Sequence, residues 1–315
     1  MGTILTIILP IFAIIALGWT TTRIGLFSAA DMRVFGRFVM NIALPALLFN
    51  ALASRDLEEV LNPPYLISYS VISIAMVALS LLWFKQVRGF DLSRAAICVM
   101  GTACSNSGYF VFPILTLALP HMAPLVLAMS MIVENLLVLP LCLILSAAGS
   151  QARQGGLGAL IRHILRDLVR RPLMVSMLAG LVWSLLALPW PEIPQRAATM
   201  IATASVPLAL FVIGGSLAGV PFRGNLALAS QVTVLKLLVH PLLAMALLAG
   251  ATFIGLPELD PMLRSSLLIT TAVPMIGVYP IFAQEHGMER MAALAMLLAT
   301  VASFFTLSLV LLILI

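Results

Sequence analysis

The chain has 315 residues, 62% of them hydrophobic and 9% charged, with a mean hydropathy of +1.14. Those values exclude a soluble globular domain, because water cannot be the main solvent of so apolar a chain. The net charge of +5 does not point to nucleic acid either, since the basic residues form no surface tract interleaved with aromatics.

A helix needs about 20 apolar residues to cross the hydrocarbon core of a membrane. Apolar runs predict ten such helices, over residues 3–22, 34–53, 63–85, 95–119, 123–148, 173–190, 197–219, 226–253, 265–285 and 288–314. The first has no basic segment before it and no small-residue cleavage site after it, so it is expected to be a retained helix rather than a signal peptide. Cys98, Cys104 and Cys142 lie inside apolar runs without disulfide or metal-site spacing and read as core residues; no metal or cofactor is expected. Alternating the loops between two faces puts Arg23, Arg33, Arg88, Arg166 and most other basic residues on one side, and only Arg55, Arg196 and Arg264 on the other. The crowded side is then cytoplasmic and both termini are expected outside, in the periplasm if the membrane is a Gram-negative inner membrane. Residues 149–171 form the longest connection, an Arg-rich cytoplasmic linker suited to anionic headgroups.

The segments on either side of that linker, 1–148 and 172–315, echo one another. Leu17-Gly18-Trp19 is paired with Leu181-Val182-Trp183, Pro45-Ala46-Leu47-Leu48-Phe49 with Pro207-Leu208-Ala209-Leu210-Phe211, and Gly108 to Pro113 with Gly277-Val278-Tyr279-Pro280. Their collinear, near-constant offset indicates an internal repeat. Five crossings separate equivalent helices, so the second copy would be inverted in the membrane.

Two predicted helices are interrupted at equivalent places. The fourth contains Ser105-Asn106-Ser107-Gly108-Tyr109-Phe110-Val111-Phe112-Pro113, and the ninth Val273-Pro274-Met275-Ile276-Gly277-Val278-Tyr279-Pro280. A break frees backbone N–H and C=O groups that lipid cannot satisfy, so it survives only where protein or a water-filled cavity covers it. Half-helix N-termini brought together there suit a carboxylate, which makes Ser105, Asn106, Ser107, Gly108, Tyr109, Pro113, Pro274, Gly277, Tyr279 and Pro280 candidate substrate-binding residues. A pair of simple proline kinks is the bland alternative. Glu134 with Asn135, and Lys236 with His240, are polar or ionisable residues inside spans and are candidate coupling or support groups. Lys236 has a second reading, snorkelling to the cytoplasmic interface. Asn41 and Asn50 are expected to bond between helices.

Asn106 followed by Pro113, and Pro274 through Phe282-Ala283-Gln284-Glu285, resemble the two helix crossovers of the auxin efflux carrier family, which includes plant PIN proteins and bacterial malonate or organic-acid permeases. The resemblance covers essentially the whole chain. It implies an all-α membrane fold of ten helices in a 5+5 inverted repeat, with helices four and nine broken and crossing. It further implies a scaffold of helices one, two, six and seven, a transport domain of helices three to five and eight to ten, and an elevator movement between them. Asn41, Pro45 and Pro207 would line the scaffold side of the site, and the protein would be a homodimer in the cell membrane. The expected activity is secondary transport of a small organic anion such as malonate, coupled to H+ or Na+ or uncoupled. A sodium-coupled carrier like the bile-acid symporters and a non-transporting receptor are the alternatives. No HExxH, paired-aspartate or nucleophile-elbow motif supports an enzyme.

Overall fold

A computed structural model describes residues 2–55, 61–149, 162, 166, 170–220, 224–253 and 255–314. All regular secondary structure among them is helical. In chain order the helices are α1 (Gly2–Arg23), α2 (Ala29–Ala53), α3 (Pro63–Val87), α4 (Leu92–Ala103), α5 (Ser107–Ala118) and α6 (Ala123–Gly149). They continue with α7 (Pro172–Leu185), α8 (Glu192–Leu217), α9 (Leu226–Ala249), α10 (Pro261–Ala272), α11 (Tyr279–Gln284) and α12 (Glu289–Leu314). Seven of these, α1, α2, α3, α6, α8, α9 and α12, are long and apolar enough to cross a membrane; α4, α5 and α7 are shorter apolar helices. The predicted fourth helix is α4 and α5, and the predicted ninth is α10 and α11. Most of the expected linker 149–171 lies outside the described residues.

Helices begin earlier than their apolar runs where a polar side chain caps the first turn. Ser28 accepts from the Asp31 N–H while the Asp31 carboxylate accepts from the Ser28 N–H, a reciprocal box that starts α2 at Ala29. Asp91 accepts from the Arg94 N–H ahead of α4, and Asp260 from the Met262 N–H ahead of α10. Pi-helical turns at Val39–Ala43, Trp83–Val87, Ser107–Val111, Glu134–Val138 and Leu235–Val239 add a residue to the local turn and re-aim the side chains that follow.

The chain forms two compact units, each drawn from several stretches of sequence. Unit 1 comprises Met1–Asn62, Gly108–Met129 and Asp167–Gly219; unit 2 comprises Pro63–Ser107, Ser130–Arg166 and Val220–Ile315. The four helices that the resemblance assigns to a scaffold fall in unit 1. The regions of predicted helices three, eight, nine and ten fall in unit 2, and those of four and five are divided between the two units.

In unit 1, α1 packs along the second part of α8, and α7 along α2. Apolar attraction between helices is weak in lipid, so close packing carries the association. A Cβ on Gly18 would strike the Phe211 carbonyl, and one on Gly214 would strike the Ile15 carbonyl and the Trp19 amide, so backbone meets backbone at this crossing. Phe27, Phe35 and Phe211 form an edge-to-face cluster, and Phe49, Trp183 and Trp190 form another.

In unit 2, α4 packs on α3 and α6, while α12 packs on α9, α10 and α11. Tyr65, Tyr69 and Phe84 of α3 and Tyr279 of α11 are fully buried there. The Tyr279 ring lies over Gly101, where a Cβ would stand 2.6 Å from its Cζ.

Candidate functional site

The helical ladder stops at Ala103 in α4 and at Ala272 in α10, and the segments beyond each run extended past one another. They form an isolated antiparallel bridge between Ser105 and Met275. The Asn106 N–H donates to the Pro274 carbonyl at 3.0 Å, and the Ile276 N–H donates to the Cys104 carbonyl at 3.1 Å. Pro274 has no N–H to lose and contributes only its carbonyl. Backbone groups that the breaks release are thus satisfied by the opposite break, which answers the requirement that lipid imposes on a broken helix.

Two buried ions grip the first break from either side, both inside unit 2. Glu134 sits in the π turn of α6, 3% exposed, and one carboxylate oxygen accepts from the Ser107 hydroxyl at 2.6 Å and the Tyr69 hydroxyl at 2.7 Å. Lys236 sits in the π turn of α9, wholly buried. Its ammonium donates to Ser105 Oγ at 2.6 Å, His240 Nδ1 at 3.0 Å and the Thr271 carbonyl at 3.4 Å. An ammonium has three protons, so its donors are all used. The Thr271 carbonyl belongs to the last turn of α10, where a cation complements the negative end of the helix dipole. With the Lys236 ammonium as donor, Nδ1 must accept, which assigns the proton of a neutral His240 to Nε2, an atom buried without a partner. Ser105-Asn106-Ser107 is therefore a tripeptide whose outer hydroxyls are bonded to a cation and an anion, leaving Asn106 between them. The Asn106 amide nitrogen lies 3.7 Å from where a Cβ on the exposed Gly277 would stand.

This arrangement corrects the snorkelling alternative for Lys236, which is buried among protein acceptors instead of reaching an interface. His240 pairs with that ammonium. Asn135 turns away from the pair and donates to the Met131 carbonyl of its own helix at 2.9 Å. Of the remaining candidates, Pro280 stands in the first turn of α11 and the buried Tyr279 hydroxyl has no partner. Gly108, Tyr109 and Pro113 belong to unit 1, where the Tyr109 hydroxyl donates to the Gly36 carbonyl of α2 at 3.2 Å. Pro45 is buried in unit 1, whereas Asn41 and Pro207 are exposed. Asn50 does bond between helices, donating to Thr199 Oγ1 at 2.7 Å and accepting from Trp190 Nε1 at 2.6 Å; Asn41 does not.

The residues missed from sequence are the tyrosines of α3. Tyr69 holds Glu134, and Tyr65 lies 3.0 Å from Ser130 Oγ and 3.5 Å from Thr270 Oγ1, joining α3, α6 and α10. Their four-residue spacing on one face of a predominantly apolar helix was the available signal.

Known proteins share this chain's length and pattern. A protein of Rhizobium meliloti (strain 1021) named "Putative malonate transporter" is 26% identical over 304 residues, covering 95% of this chain and 92% of the relative. "Uncharacterized transporter YfdV" of Escherichia coli (strain K12) is 27% identical over 268 residues, covering 83% of each chain. An "Uncharacterized transporter" of Methanothermobacter thermautotrophicus is 27% identical over 265 residues, with 82% of this chain and 83% of the relative covered. The family described as membrane transport protein matches residues 3–311, and with seven apolar helices of crossing length the chain is a multi-pass membrane protein belonging to that family, the auxin efflux carrier group that its crossover residues resemble.

Proposed function

We propose that the protein is a secondary transporter of a small organic anion, a carboxylate, with malonate as the first compound to test. The observation that carries this reading is the pair of mutually bonded helix breaks with Asn106 held between two buried ions. Evolution retains such costly groups inside a membrane where a substrate or ion is handled. The Asn106 amide and the backbone at Gly277 would receive the carboxylate, with Ser105 and Ser107 setting the position of Asn106.

The transport step is an elevator movement in which most of the crossed-helix body carries substrate past a scaffold that includes α1, α2, α7 and α8. Ten crossings in a 5+5 inverted repeat underlie it, counting α4 with α5 and α10 with α11 as one crossing each. The reciprocal packing of α1 on α8 and of α7 on α2 supports that repeat, because exchanging equivalent helices exchanges the two pairs. In this reading the protein is a homodimer of the cell membrane with both termini on the outer side. The malonate in the name of the Rhizobium relative motivates the first substrate.

The test is uptake of labelled malonate into proteoliposomes, with unlabelled mono- and dicarboxylates as competitors. Saturable uptake that is lost in Asn106→Ala, from protein that still elutes as a folded species, is the expected result. Absence of uptake for every carboxylate by folded wild-type protein would overturn the carboxylate assignment.

A further inference from the structure

We infer that Glu134 is a proton-loading site and that the protein moves one proton with each singly charged carboxylate it carries, so that a dicarboxylate such as malonate would cross in its hydrogen-malonate form. This inference rests on the carrier reading above and names its coupling ion.

The argument is one of charge inside unit 2. Among its described residues, the buried ionisable side chains that carry charge in this reading are Glu134 and Lys236, with His240 neutral. The other ionisable groups around Glu134 are Tyr65 and Tyr69 of α3, Cys104 at the end of α4 and Lys236 of α9, with Cys142 on its own helix. None of these but Lys236 is a cation. With Glu134 ionised the pair sums to zero, and the buried interior is neutral when empty. Loading an anion alone would give it a charge of minus one. Loading a proton alone onto the Glu134 carboxylate would leave Lys236 uncompensated, at plus one. Either state places an unbalanced charge in a low-dielectric body that must cross hydrocarbon, at a cost of several kcal/mol. Loading both returns the sum to zero. The empty and doubly loaded states are therefore the two that cross cheaply, which is the condition for obligatory coupling.

The chemistry balances with no other reactant. Water on one side of the membrane gives a proton to a Glu134 oxygen, forming an O–H bond, and the same bond breaks on the other side. Glu134 also stands where its protonation is felt by the substrate, because its hydrogen bond ends on Ser107, the neighbour of Asn106. A sodium ion fits the place less well. The charge that would attract it is already balanced by Lys236, and no cluster of three or more His, Cys, Asp or Glu suited to a metal ion occurs among the described residues.

Three arms in proteoliposomes, with protein-free vesicles as the background, test this. Counterflow, the exchange of labelled for unlabelled carboxylate without any gradient, reports on the carrier reading by itself. If counterflow is absent, the proposed function fails, and with it the premise of this inference. Given counterflow, acidifying the outside should raise accumulation of a monocarboxylate by about tenfold per pH unit, since each 1.4 kcal/mol of proton gradient is a factor of ten. Uptake should acidify a dye trapped in the lumen, and an imposed membrane potential should leave accumulation unchanged. In Glu134→Gln the proton-driven accumulation should be lost while counterflow remains measurable. Accumulation driven by a sodium gradient and indifferent to pH, or proton-driven accumulation that survives Glu134→Gln, would overturn the proposal. The wild-type dye and potential measurements decide the proton coupling even if Glu134→Gln does not fold, and Glu134→Asp, which keeps a carboxyl group and should retain proton-driven accumulation, then tests the site.

Discussion

The two units solve the problem of cohesion in lipid differently. Among the described residues, Ser205 is the one buried polar side chain of unit 1 outside its aromatics. Buried Ser, Thr, Asn, Glu, Lys and His are otherwise all in unit 2, from Ser68 and Ser73 in α3 to Ser303 in α12. Unit 1 is joined by shape, with glycine letting α1 and α8 approach to backbone contact. Unit 2 is joined by hydrogen bonds and a pair of ions, which are expensive to bury and strongly directional. Shape holds a body together over a wide range of conditions; a polar network also responds to protons and ligands. The difference supports the proposal that one unit serves as scaffold and the other handles substrate.

The largest effect is expected from removing one of the two buried charges. Lys236→Met leaves Glu134 as an uncompensated buried charge and should cost about 3–5 kcal/mol. Thermal unfolding in detergent should show the Lys236→Met, Glu134→Gln double variant to be more stable than Lys236→Met alone. A double variant no more stable than the single one would show that the two ions do not compensate each other.

Next comes the glycine crossing of unit 1. Gly214→Ala drives a methyl group into the Ile15 carbonyl and should cost about 1–3 kcal/mol, while Gly219→Ala, where a Cβ meets nothing within 4 Å, should leave the melting temperature unchanged. Equal effects of the two would remove the packing account of unit 1. The smallest effect is expected at the half-buried polar contact of unit 1. Asn50→Ala breaks its bonds to Thr199 and Trp190, and interhelical hydrogen bonds in membranes average about 0.6 kcal/mol. A loss as large as that of Lys236→Met would mean that unit 1 also depends on a polar network.

Much of this was legible in the residues, and what was not has identifiable causes. Apolar runs located the seven helices long enough to cross, since length and hydropathy decide which segments can do so. Pro and Gly marked both interruptions, although the non-helical stretches are shorter than the motifs that flagged them, because Ser107 to Pro113 re-enters a helix through a π turn. Helix starts were missed where a cap precedes the apolar run, as at Ser28 and Asp91. The serine-aspartate spacing of the first was readable as a capping box. The surroundings of Lys236 and Glu134 were harder. A helical wheel assumes 3.6 residues per turn, and each of these residues lies in a π turn that shifts the face presented afterwards. Tyr69 escaped because a hydroxyl partner of a buried carboxylate carries no charge to draw notice.

The two bonds made directly between the broken helices' extended segments, an amide from Asn106 to the Pro274 carbonyl and one from Ile276 to the Cys104 carbonyl, use main-chain atoms alone. Any residue except proline can supply an amide, and every residue supplies a carbonyl. The hinge-pin of the crossover is thus nearly blind to sequence, and side chains around it can be exchanged over evolutionary time without dismantling it. A scaffold with that property can change its cargo by drift at a few positions while keeping its machinery intact.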